Sequence, residues 1–87
     1  MEKTIYTREY DAVVQLLRAA RKTVGVTQVE LAERLGLTQS LVSKMERGDR
    51  RLDIIEVRTI CLAIGISFPE FVTQLERSLG KRRQDRA

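Results

Sequence analysis

Eighty-seven residues, 43% of them apolar, make one small domain with a modest core. With no His and a single Cys, Cys61, the chain has no internal disulfide and no material for a protein-built zinc site or a His-activated nucleophile. The net charge of +4 points to an anionic partner, but residues 81–87 carry four cations against one acid, leaving the rest at +1, so anion binding depends on where the charges sit.

Residues 1–6 read as an N-terminal arm, with Ile5 and Tyr6 placed to pack back on the domain. No apolar run is long enough to span a membrane, and the start lacks a signal-peptide pattern, which together predict a cytoplasmic protein without membrane contact. The domain proper is expected over 7–80. Its first helix is predicted to start after Thr7 and reach about Thr23, burying Tyr10, Val13, Leu17, Ala20 and Val24, with Leu16 broadening that face. Gly25 suits the C-terminal cap.

The next stretch, Thr27 to Gly48, reads as two short helices joined by a tight turn. Thr27 is an N-cap, and Glu30 three residues later completes a capping box. Leu31, Ala32 and Leu35 give this second helix its buried stripe, and Gly36 supplies the left-handed residue that stops it. Thr38 caps again, and a third helix is expected from about Gln39 to Arg47. So short a connection makes the pair cross steeply, as in a helix-turn-helix.

On a helical wheel the third helix turns Val42 and Met45 inward, with Thr38 and Leu41 at the margins. Gln39, Ser40, Ser43, Lys44 and Arg47 collect on the other side, without an acid among them. Those groups match base edges and phosphates: Gln suits adenine, Lys guanine, Ser either, and Arg guanine or phosphate. The plain alternative is a solvated polar face, which in a chain this rich in Glu would be expected to include an acid. Arg50 and Arg51 follow directly, placed either to flank a groove and bind phosphate or to sit in solvent as loop residues.

Asp53 and Glu56 form a second capping box, opening a fourth helix with Val57, Ile60, Cys61 and Ile64 as its stripe and Gly65 as its end. Cys61 lies inside that stripe as a small core residue. Ser67 and Glu70 mark a third box, with Pro69 tolerated in the first turn of the fifth helix. Phe68, Phe71, Val72, Leu75 and Leu79 share one side of it. Apolar pairs recur at four helix starts, Val26/Leu31, Leu37/Val42, Leu52/Val57 and Ile66/Phe71. Gly80 should end the last helix, leaving 81–87 as a disordered basic tail that adds either non-specific affinity or solubility. The fold class is all-α: a five-helix bundle, with neither repeats nor strand alternation.

Arg21, Gly25, Thr27-Gln28, Leu31-Ala32, Gly36, Val42-Ser43, Glu46 and Gly48, continuing through Arg50-Arg51 to Ala63, Gly65 and Ile66, resemble the Cro/CI-type helix-turn-helix family, the phage-repressor-like (XRE) DNA-binding domains. The resemblance covers roughly 13–75. It implies a compact lambda-repressor-like bundle and an Arg21–Glu46 ion pair joining the first helix to the third. It also implies that Gln28, at the positive end of the second helix, holds a phosphate, where the alternative is a good helix former beside a cap.

Two functions of different kind follow. The first is a sequence-specific regulator of transcription, a repressor by preference. It would read the major groove of double-stranded DNA with Gln39, Ser40, Ser43 and Lys44 and grip phosphates with Gln28, Arg47, Arg50 and Arg51. It would act as a homodimer through Val72, Leu75 and Leu79 on a palindromic operator. The second keeps the fold as an adaptor or antitoxin, with a protein partner as its main target. No metal and no cofactor are expected. An enzyme is disfavoured: there is no His, no metal cluster and no Gly-rich phosphate loop after a strand.

Overall fold

Short-range capping sets most of the helix boundaries. In the computed structural model, backbone is described for residues 2–86 and side chains for 8–80. Five helices make up those residues, without a strand: α1 (Glu2–Thr23), α2 (Gln28–Leu35), α3 (Gln39–Glu46), α4 (Ile54–Ile64) and α5 (Phe68–Arg86). Thr27 Oγ1 accepts from Glu30 N at 3.0 Å, and Glu30 Oε1 accepts from Thr27 N at 2.9 Å. The same reciprocal pair joins Asp53 and Glu56, at 2.7 and 2.9 Å. Thr38 caps α3 and Ser67 caps α5 through single side-chain bonds. Gly36 ends α2 at φ 70°, a left-handed conformation that a side chain would strain. It thereby lets the chain leave α2 at Leu35 and start α3 at Gln39.

The caps also depress two carboxyls. The Thr27 N–H holds Glu30, and the Asp53 N–H holds Glu56, below the ordinary glutamate value. Folded values below unfolded ones mean stabilisation present above the ordinary value and lost as pH falls through the depressed one. Acid should therefore loosen the starts of α2 and α4. Replacing Asp53 by Ala should lower stability by about 0.5–2 kcal/mol. The readout is a lower urea midpoint with an unchanged slope. An unchanged midpoint would show that burial of Leu52 and Val57 in the core is enough to hold the start of α4.

Both ends of the chain depart from expectation. α1 begins at Glu2, not after Thr7, so the segment expected to be an N-terminal arm is helical. Residues 2–7 contain neither Gly nor Pro, and a Thr inside a helix costs only tenths of a kcal/mol, roughly, so Thr7 need not start one. α5 continues through Gly80 to Arg86, where a stop and a disordered tail were expected. The positive-φ glycines are Gly25, Gly36, Gly48 and Gly65. Gly80 is therefore no left-handed stop, and a helical Gly costs only about 1 kcal/mol. The expected packing of Ile5 and Tyr6, and the roles of the 81–87 side chains, lie outside the described residues.

α2 packs on α3 and α4, and α1 lies against α3, α4 and α5. Leu31, Val42 and Cys61 are the fully buried centre, ringed by Leu17, Met45, Ile60, Ile64 and Phe71. The fully buried line of α1 is Val14, Leu17 and Arg21; of the expected face, Val13, Leu16 and Ala20 pack against the core partly buried and Tyr10 is half-buried. Val24 falls beyond the last turn of α1 and is exposed. Burial raises the Cys61 thiol above its ordinary pKa, consistent with an inert packing role.

Candidate nucleic-acid interface

The surface around α3 is organised from the inside out. Arg21 of α1 is only 6% exposed, and a buried guanidinium needs its donors satisfied. Its Nε donates to Glu46 Oε2 at 2.6 Å, its Nη2 to Glu46 Oε1 at 3.0 Å and its Nη1 to the Val26 carbonyl at 2.7 Å. Glu46, in the last turn of α3, is thus bound bidentately to α1, the tightest geometry for this pair.

Glu46 Oε1 also accepts from Gln28 Nε2 at 3.0 Å. A carboxylate only accepts, so Gln28 must present its nitrogen there, which turns its Oε1 outward. That oxygen accepts from Gln39 Nε2 at 3.3 Å. One chain of hydrogen bonds therefore runs from the core through α2 to the first turn of α3. Sequence reasoning missed the Gln28–Glu46 and Gln28–Gln39 bonds, which join residues 18 and 11 positions apart.

Gln39, Ser40, Lys44 and Arg47 are exposed on one side of α3, opposite buried Val42 and Met45. Ser43 is half-buried, and its hydroxyl accepts from Arg47 Nη1 at 2.8 Å. Arg47 Nε reaches Asp49 at 3.1 Å, a pair more than half exposed on both sides. Such a pair is worth about 0–1 kcal/mol and exchanges readily for another anion.

Arg50 and Arg51, adjacent in sequence, diverge. Arg50 Nη2 pairs with Glu56 Oε2 at 3.0 Å. The Arg51 guanidinium lies 4.8 Å from the centroid of the Tyr10 ring and has no acid paired with it among the described residues. Along the expected dimer line, Val72 is 41% exposed, while Leu75 and Leu79 are half-buried. The largest exposed aliphatics lie elsewhere: Ile54 at 63%, Ile55 at 65% and Leu62 at 56%, all on α4.

Among the described residues no group of His, Cys, Asp and Glu could hold a metal, and no helix is long and apolar enough to cross a membrane. What the arrangement offers is a rigid helix presenting amide, hydroxyl and cationic groups, with further cations in the loop behind it.

Comparison with known proteins bears on this surface. The helix-turn-helix family model matches residues 17–71. A relative described as an uncharacterized HTH-type transcriptional regulator, y4dJ of Sinorhizobium fredii (strain NBRC 101917 / NGR234), is 34% identical over 58 residues, covering 67% of this chain and 75% of its own length. An uncharacterized HTH-type transcriptional regulator of Methanothermobacter thermautotrophicus is 40% identical over 50 residues, covering 58% and 72%. Among solved structures, an XRE-family like protein from Pseudomonas syringae pv. tomato DC3000 superposes with a TM-score of 0.81 at 45% identity, covering 88% of this chain and 94% of the other.

Proposed function

Because this chain belongs to the Cro/CI-type (XRE) helix-turn-helix family, we propose that it is a sequence-specific repressor that binds double-stranded DNA as a homodimer. α3 enters the major groove, and α2 crosses its end against the backbone. Gln39, Ser40, Ser43 and Lys44 read bases, while Gln28, Arg47, Arg50 and Arg51 take phosphates. The role is non-catalytic and cytoplasmic. The observation that carries this reading is the outward side of α3: exposed Gln39, Ser40, Lys44 and Arg47 without an acid on that face. Asp49 and Glu56, which hold Arg47 and Arg50, form exposed or part-exposed pairs that phosphate can displace. Selection of bound fragments from random duplex DNA tests the reading. A two-fold motif with half-sites about one helical turn apart is the expected result. Failure to enrich any motif would sink sequence-specific binding.

The homodimer is proposed through Val72, Leu75 and Leu79 on α5. Leu75→Glu and Leu79→Glu should sediment as folded monomers that bind a half-site weakly, beside a dimeric parent. The exposed Ile54, Ile55 and Leu62 favour a second reading, in which α4 is a protein-docking face of an antitoxin or adaptor. Leu62→Glu separates the two. A parent that is monomeric at high micromolar concentration, whatever its α4 face carries, would remove the preformed dimer.

A further inference from the structure

The loop that leaves α3 is held by one side chain of α1. The Tyr10 hydroxyl donates to the Arg50 carbonyl at 3.0 Å and accepts from Leu52 N at 2.8 Å. Its one proton and a lone pair thus bridge the two residues flanking Arg51. The tether is tertiary, joining positions 40 and 42 residues apart. It is also demanding: Leu52 is 8% exposed, and its N–H would lose this partner without the hydroxyl. The same loop passes close to α1, since a Cβ placed on Gly48 would come within 3.7 Å of Asp11 and 4.0 Å of Val14. Finally, the face of the Tyr10 ring carries the Arg51 guanidinium.

Of the three cations that follow the exposed face of α3, Arg47 is paired with Asp49 and Arg50 with Glu56. Arg51 alone has no acidic partner among the described residues and sits on an aromatic platform. Its full charge is available to a phosphate, provided the loop is already ordered.

We propose that Tyr10 is a positioning residue for phosphate contact: its hydroxyl fixes the Arg50–Leu52 loop and its ring presents Arg51 to the DNA backbone. The proposal rests on the DNA-binding reading above. It concerns a residue that touches no DNA itself, and helical spacing alone reads that residue as core.

Tyr10→Phe keeps the ring and removes the tether. DNA affinity should fall about three- to tenfold for every sequence, the cost of ordering a loosened loop on binding, with the salt dependence retained. Tyr10→Leu removes the platform too, and the slope of log affinity against log salt should become shallower by up to about one. Adding Arg51→Ala to Tyr10→Leu should then change little, although Arg51→Ala in the parent costs both affinity and slope. A merely structural role for Tyr10 would leave that coupling absent. All measurements are made well below each variant's melting temperature, checked by circular dichroism.

Amide exchange reads the tether without DNA: the Leu52 N–H should exchange faster in Tyr10→Phe, while Val42 in the core does not. Unchanged Leu52 exchange, or variants that bind DNA like the parent with Arg51→Ala fully additive, overturns the proposal. A parent that binds no duplex DNA, with Leu52 exchange still responding to Tyr10→Phe, would sink the DNA reading and the positioning role with it while leaving the tether as architecture.

Discussion

Replacing Glu46 by alanine should destabilise the domain by about 3–5 kcal/mol, because a buried guanidinium is left without its anion. Arg21 loses two of its three bonds, and Gln28 loses its acceptor. Set against a total stability of roughly 5–15 kcal/mol for a domain, this is most of the margin in a chain of this size. Urea unfolding followed at 222 nm reads it as a large drop in midpoint. The double change Arg21→Met with Glu46→Leu should recover much of the loss, since an apolar pair of similar volume avoids the desolvation penalty. Regained stability should not restore DNA binding, because Gln28 and Gln39 no longer have an anchor. A cost below about 1 kcal/mol for Glu46→Ala would mean the pair behaves as a solvated one.

The second large effect is on base choice. One Gln39 N–H is directed to Gln28 Oε1, which leaves the other N–H and the carbonyl oxygen side by side. That donor–acceptor pair matches N7 and the N6 amino group of adenine. Gln39→Ala should erase preference at one base pair per half-site, a loss of about 1–3 kcal/mol of discrimination. Gln28→Ala should blur the same position and weaken binding overall, without changing the salt slope, because Gln is neutral. A selected motif that is identical before and after Gln39→Ala removes this residue from the reading set.

How legible this was in the sequence depends on the range of each interaction. The Thr27–Glu30 and Asp53–Glu56 boxes close within three residues, so residue type and spacing specify them almost completely. Gly36 and Gly65 were readable for the same reason: each answers a local backbone demand. The phase of α1 was not, because a buried Arg21 looks polar in a hydrophobic pattern and pulls the stripe toward Val14. The ends of α1 and α5 escaped too, since Thr7 and Gly80 permit a boundary without requiring one. Of the interface, the composition of the α3 face could be read from period alone. The Gln28 bonds and the Tyr10 tether could not, as they depend on how α2 and α1 are placed against α3.

Cys61, with no exposed surface, gives the molecule an internal clock. A thiol reagent cannot reach the sulfur in the closed state, and burial keeps its reactive thiolate form scarce there. Alkylation therefore has to wait for the core to open, and when opening is fast relative to labelling its rate reports the population of opened molecules. A ligand that binds only the closed form lowers that population by the factor one plus its concentration over Kd. The protein's lone thiol can thus weigh any DNA fragment offered to it, with no dye and no change to the chain.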